Sequence, residues 1–267
     1  MVTQGKRNDR SKPNTISVVI AAKNEAANIA DCVASAAFAD EVIVFDSASS
    51  DNTAEIARAA GARVVCTDWP GYGPQQARAF RLATSTWVLS LDADERITPQ
   101  LRDEVLAAVD GAEAKGLAGF WLPRLSQFCG QFIHHSGWRP DHTLRVGLRE
   151  KADFTAHYLH AHMTVVGNTA KLREPLIHYS YPTVGTLLEK LERYSSGSAR
   201  DMQAAGRHGG VGKGIAHGLW AFVRTYVLKR GFLDGRFGLM LAIYNAEYAY
   251  YKYVKLMLLN DAAKAGA

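Results

Sequence analysis

Two aspartates, Asp92 and Asp94, stand either side of Ala93 at the end of the apolar run TWVLSLD from Thr86. In an extended chain, residues two apart project to the same side, so this pair offers carboxylate oxygens to a hard cation and to a nucleotide ribose. The same residues can instead cap a helix beginning near Pro99. Asp46 ends a second apolar run, EVIVFD from Glu41, and precedes Ser47, Ser49, Ser50, Asp51 and Thr53. Those acceptors and hydroxyls suit a nucleoside. One helix cap does not need two acids, which makes Asp51 the expected N-cap and Asp46 the expected ligand contact. The stretch from Gly71 to Arg78, with Gln75 and Gln76, joins a flexible loop to donors suited to a diphosphate. By itself it also reads as an ordinary Pro/Gly turn.

These groups need a scaffold, and the sequence supplies one. Two further β-rich runs, ISVVIA from Ile16 and ARVVCT from Ala62, join those ending at Asp46 and Asp92. Between them lie helical patterns: Ile29 with Val33 on a helix starting near Glu25, and Ile56 with Ala60 after the Ser/Asp/Asn-rich segment. Alternating strands and helices predict a mostly parallel sheet covered by helices. Ligands of such sheets bind beyond the carboxyl ends of the strands. The segments AAKNE, DSASSDNT, TDWPGYGPQQAR and DADE occupy those ends.

The remaining organisation follows from shifts in pattern. Residues 1–15 are polar and charged and read as a loose lead without the apolar core of a signal peptide. Residues 16–115 form the α/β half. Residues 116–183 are rich in aromatics and histidines and read as less regular strands, the expected acceptor half of the same domain. Residues 184–267 read as helical, broken near Gly206–Gly214 and Gly231–Gly235. In that last region no run reaches the roughly 18 uncharged residues of a spanning helix. Tyr244, Tyr248 and Tyr251, with Lys252 and Lys255 on a neighbouring face, suit a helix lying in a bilayer interface, or one packed on the core or on a second copy of the chain.

Composition excludes some classes. Cys32, Cys66 and Cys129 are far apart and suggest neither a disulfide framework nor a cysteine zinc site, which fits a reducing cytosol. A formal net charge of +5 permits attraction to anionic partners but selects none, and no nucleic-acid partner is expected. GGVGKG at Gly209–Gly214 is not a phosphate loop, since Gly214 stands where Ser or Thr is required; it reads as a helix connection. No GxGxxG follows the first strand, so the α/β half does not read as NAD-binding. His157, His160 and His162 allow a zinc cluster to be drawn, although structural histidines are the plainer reading.

The ordered set SVVIAAKNEAANI, VFDSASSDNT, GYGPQQARA and LSLDADE resembles the family 2 glycosyltransferases with the A-type fold. The likeness continues through SQFCGQFIHHSGW, LREPLIHYSY and the segment from AHGLWAFVRTYVLKRGF to the C-terminal helix, towards lipopolysaccharide core β-1,4-glucosyltransferases. It implies a Rossmann-like mixed sheet flanked by helices with a C-terminal helical extension. It also implies inverting transfer of a hexose, with UDP-glucose the expected donor, to a glycolipid or lipopolysaccharide-core acceptor. Carried over, Ala21, Asn24, Glu25, Asp46 and Ser47 line the nucleotide pocket with Gln75 and Arg78, Asp92 meets the ribose, and Asp94 holds Mg²⁺ or Mn²⁺ on the diphosphate. It further implies a place on the cytoplasmic face of the inner membrane as a peripheral protein, with a homo-oligomer open.

Relatives of this kind commonly carry a His-Glu pair where this chain has His160 followed by Ala161. A histidine is then the expected base, His160 first, with Asp141, Glu150 and Asp153 as carboxylate substitutes. Two other classes stay open: a nucleotidyltransferase acting on a sugar phosphate, and a non-catalytic sugar-nucleotide-binding protein at a membrane.

Overall fold

The computed structural model describes residues 14–68, 72–155 and 162–265. The chain divides into two compact units, and the first comprises the described residues up to Pro123 with His142–Leu176. Its elements begin with β1 (Ile16–Ala22), α1 (Ile29–Ser35), β2 (Glu41–Asp46), α2 (Thr53–Ala59) and β3 (Arg63–Cys66). There follow α3 (Tyr72–Arg81), β4 (Trp87–Asp92), the short β5 (Glu95–Arg96) and α4 (Pro99–Asp110). Then come β6 (Leu117–Phe128), whose part from Arg124 onward belongs to the second unit together with β7 (Gln131–Phe132), and β8 (Asp141–Leu148), β9 (Ala152–Phe154), β10 (Met163–Val165) and β11 (Asn168–Lys171).

Within this unit the sheet order is β3-β2-β1-β4-β8-β6, with β11 beside β6. Strands β1 to β4 pair in parallel, and β8 runs antiparallel to β4. This is a mixed α/β sheet flanked by helices, of the A type the resemblance implies. Alternation along β1 shows how the sequence selects it: Val18 and Ile20 enter one core with Ile29, Val33, Leu101 and Val105, while Val19 enters another with Phe80 and Phe154. Period-two burial on both faces requires cover on both, and each fully buried Ile or Leu contributes about 1.5–3 kcal/mol.

Several local expectations change. The helix expected near Glu25 begins at Ile29. The N–H groups of Asn24 and Ala26 go instead to side chains of the loop after β2, and that of Glu25 to Thr53 at the start of α2. The N-cap of α2 is Asn52 rather than Asp51, and Ala60 is exposed while Thr53 and Ala57 form the buried side. The helix start at Pro99 holds, but its cap is not Asp92 or Asp94: the Thr98 hydroxyl accepts the N–H of Leu101 at 3.1 Å.

The second unit comprises Arg124–Asp141 and the chain from Ile177 onward. It holds most of β12 (Leu176–Tyr181), α5 (Val184–Ala204), α6 (Val211–Val223) and α7 (Gly235–Ala265). Its core joins Phe128, Ile133, Leu187, Leu191, Leu241 and Tyr244. The glycine-rich segment is only partly a connection, since Gly212 and Gly214 already lie inside α6. On α7, Tyr244 is buried and Tyr251 is exposed, so the three tyrosines do not share one environment. No described helix is long and apolar enough to cross a membrane.

Candidate active site

Parallel pairing aligns the carboxyl ends of three strands. Ala21 of β1 sits in register with Asp92 of β4, and Ala22 sits in register with Asp46 of β2. The polar segments that follow therefore emerge side by side. Asn24 adopts a left-handed backbone (φ 56°), which asparagine tolerates better than most residues. Its side-chain oxygen accepts the N–H of Ser50 at 2.8 Å, and its own N–H goes to Ser49 Oγ at 2.9 Å. The N–H of Glu25 goes to Thr53 Oγ1 at 2.8 Å, and that of Ala26 to Asp51 Oδ2 at 3.1 Å. The hydroxyl of Thr53, ahead of any other influence, holds the Asp51 carboxyl below the usual carboxylate range. The loops after β1 and β2 are thereby clamped together.

Asp46 is buried at the base of this clamp, where its carboxylate accepts the N–H and the hydroxyl of Ser49. Ser47, fully buried beside it, accepts a hydrogen bond from Gln75 Nε2 at 2.7 Å. Gln75 reaches inward from α3, whereas Arg78 on the same helix is exposed and pairs with Asp68 at 2.7 Å.

At the end of β4 the chain does not stay extended. Ala93 and Asp94 form a turn leading into β5, so the two aspartates are not consecutive members of one strand face. Asp94 is half-buried in that turn. Asp92 receives Arg145 Nη2, which also reaches the fully buried Glu95 at 2.7 Å. Glu95 Oε2 in turn accepts the N–H of Asp92 at 3.0 Å. Burial alone would push the Arg145 guanidinium towards its neutral form. The two carboxylates outweigh that and raise its affinity for the proton.

Neither Arg145 nor Glu95 is among the residues singled out by sequence. A signal existed: Arg145 interrupts the run TLRVGL, and a buried arginine on a strand demands carboxylates. Four buried side-chain atoms here lack a protein partner among the described residues: Gln75 Oε1, Gln76 Oε1, Thr143 Oγ1 and Arg145 Nε. Each such atom costs about 1–3 kcal/mol when left unpaired, so the set is more consistent with a site completed by ligand or water than with an inert core.

Among the described residues, no group of three His, Cys, Asp or Glu forms a ready-made metal cage. Mg²⁺ and Mn²⁺ sites built from one or two carboxylates and substrate phosphates need none, and the Asp92–Asp94 carboxylates supply hard oxygens of the right kind. His160, with His157 and Ala161, lies outside the described residues. His162 donates its N–H to Thr155 Oγ1 at 3.1 Å. Asp153 accepts the N–H of Phe154, and Glu150 is exposed. Asp141, in the second unit, is held by Arg124 through Nε and Nη2 at 2.9 and 2.7 Å.

Residues 17–172, more than half of the chain, match the model of Glycosyl transferase family 2. The chain is a family 2 glycosyltransferase. Over 256 residues the transferase is 27% identical to an uncharacterized glycosyltransferase of Rickettsia prowazekii, covering 92% of this chain and 87% of that one. It is 26% identical over 251 residues to the lipopolysaccharide core biosynthesis glycosyltransferase LpsC of Rhizobium meliloti, covering 90% of this chain and 91% of the relative. Among solved structures it is similar to glucosyl-3-phosphoglycerate synthase from Mycobacterium tuberculosis, determined with Mn²⁺, UDP and glucosyl-3-phosphoglycerate. There the identity is 30%, the TM-score is 0.36, and the match spans 44% of this chain and 45% of that one.

Proposed function

We propose that the transferase moves a hexose, glucose from UDP-glucose, with inversion onto a hydroxyl of a glycolipid of the lipopolysaccharide-core kind. The observation that carries this reading is the set of unpartnered buried polar atoms on Gln75, Gln76, Thr143 and Arg145, at strand ends already lined by Asp46, Ser47 and Asp92. Such a set offers both donors and acceptors, as a nucleotide needs. The match to a lipopolysaccharide core glycosyltransferase along nearly the whole of both chains supports the acceptor class.

In this reading Ala21, Asn24, Glu25, Asp46 and Ser47 form the nucleoside wall, Gln75 and Arg78 serve the donor from α3, and Asp92 meets the ribose. Mg²⁺ or Mn²⁺ would be held by Asp94 and would neutralise charge developing on the diphosphate. The acceptor oxygen attacks the anomeric carbon, the bond to the diphosphate oxygen breaks, UDP departs, and the acceptor proton passes to a base. His160 is assigned as that base and Asp141 as the second candidate, with residues 116–183 supplying acceptor contacts. The place of work is the cytoplasmic face of the inner membrane.

The test is a product analysis. The full chain is incubated with UDP-glucose, Mn²⁺ and deacylated or intact core glycolipid, and the new linkage is read by NMR. A β-linked glucose with release of UDP is expected. Release of pyrophosphate from UTP and a sugar phosphate, with no glycosyl transfer, would replace this reading by nucleotidyl transfer.

A further inference from the structure

Helix α6 is built inside out for a protein surface. Its buried residues are Gly214 and Gly218, which lie against the backbone of α7: a Cβ at either would stand 3.1 Å from the carbonyl oxygen of Tyr250 or Ala246. Small residues four apart let two helices approach closely and turn the large side chains elsewhere. Here they turn outward. Ile215, Leu219, Trp220, Val223, Val227 and Leu228 are all exposed, Leu219 by 66% and Trp220 by 56%. Phe232 and Leu233 extend the surface into the next turn at 50% and 55%. A contiguous apolar face on this scale marks an interaction surface rather than chance exposure.

Charge identifies what covers it. Between Asp201 and Asp234 the sequence holds no acidic residue but does hold Arg207, Lys213, Arg224, Lys229 and Arg230. Asp234 itself is turned inward, where it accepts the N–H groups of His134 and His135 and the hydroxyl of Ser136. Among the described residues, Arg224, Lys229 and Arg230 have no ion-pair partner, and all three are exposed. Arg224 and Lys229 bracket a π-helical turn, a departure from α geometry that recurs at functional sites, and with Ser136 and Asn245 they line a cavity of about 340 Å³. Apolar and Trp side chains beside unpaired cations, on a helix too short to span, fit the boundary between acyl chains and anionic head groups.

We infer that the outward face of residues 211–233 docks on an anionic phospholipid bilayer, with Arg224 and Lys229 meeting head-group phosphate. This deepens the membrane-surface part of the proposed function and rests on that part alone, since it needs neither donor nor acceptor. The test is co-sedimentation of the full chain with vesicles of phosphatidylcholine alone or containing phosphatidylglycerol, at low and high salt. Binding is expected to favour phosphatidylglycerol and to weaken with salt. It should fall about tenfold or more in Leu219→Ser/Trp220→Ser, and by a smaller factor confined to anionic vesicles in Arg224→Gln/Lys229→Gln.

Circular dichroism melting verifies that each variant folds, and Leu219→Ile/Trp220→Phe is expected to retain binding should the serine pair fail to fold. Failure of the wild-type chain to bind either vesicle, or wild-type binding by the folded serine variant, would overturn the inference. So would a wild-type dimer in vesicle-free solution that the serine pair converts to monomer, because the face would then be a self-association surface. Loss of glycosyl transfer with vesicle binding intact would count against the proposed reaction and leave this inference standing.

Discussion

Arg145 donates its Nη2 to Asp92 and to Glu95, so the first aspartate of the Asp-Ala-Asp motif is held by a cation from the neighbouring strand β8. Glu95 is fully buried, and Arg145 supplies a cation at 2.7 Å from its carboxylate. Arg145→Met should therefore destabilise the fold by about 3–5 kcal/mol in urea unfolding. Arg145→Lys should recover part of that, with one compact cation in place of a fork. A loss under 1 kcal/mol in the methionine variant would mean that Glu95 finds its compensation elsewhere.

Gln75 separates binding from stability. Its Nε2 serves Ser47, but its Oε1 is buried with no protein partner. Gln75→Leu removes one unpaired acceptor but takes from the buried Ser47 hydroxyl the donor it accepts from, two effects of similar size and opposite sign, so unfolding free energy should change by no more than about 1 kcal/mol. Affinity for the sugar nucleotide should nevertheless fall measurably by calorimetry. Unchanged affinity would take Gln75 out of the donor site.

Much of the scaffold is readable because its physics is local. β1 and β2 carry apolar residues on both faces, and Thr98 followed by Pro99 is a helix start in any context. What could not be read depends on partners distant in the chain. The Arg145–Asp92 pair joins residues 53 apart. The late start of α1 reflects the side-chain oxygens of Ser49, Asp51 and Thr53, which accept the N–H groups of residues 24–26. Gly212 and Gly214 look like breakers by propensity, yet α6 incorporates them because a close approach to α7 needs a residue without a side chain at Gly214. The turn at Ala93–Asp94 escaped because a two-residue reversal leaves no periodic trace.

Acid should loosen the clamp between the segments after β1 and β2 through Asp51. Its carboxyl is held below the usual range in the folded chain, chiefly by Thr53. The stability it contributes is present above its unfolded value of about 3.9 and is lost as the pH falls through the folded value. Asp51→Asn should be less stable than wild type at pH 7. That gap should close below about pH 4, as followed by urea unfolding across a pH series. A gap independent of pH would show that the Asp51 charge contributes nothing to the clamp.

For the assigned base, His160→Ala should lower kcat by about 10²–10⁴ with little change in donor affinity, and should remove the acidic limb of the pH–rate profile. Asp141→Asn should leave that limb in place, since its carboxylate is already engaged by Arg124. An intact limb in the histidine variant, and its loss in Asp141→Asn, would transfer the role to the carboxylate.

The central claim, a metal-assisted sugar-nucleotide site at the ends of β1, β2 and β4, is tested most directly by calorimetric titration. UDP-glucose and UDP are each titrated with and without Mn²⁺ into the wild-type chain and into Asp94→Ala. The account predicts binding that strengthens with Mn²⁺ in the wild type and loses that dependence in the variant. Absence of binding to either nucleotide under all conditions, or Mn²⁺-dependent binding that survives in Asp94→Ala, would contradict it.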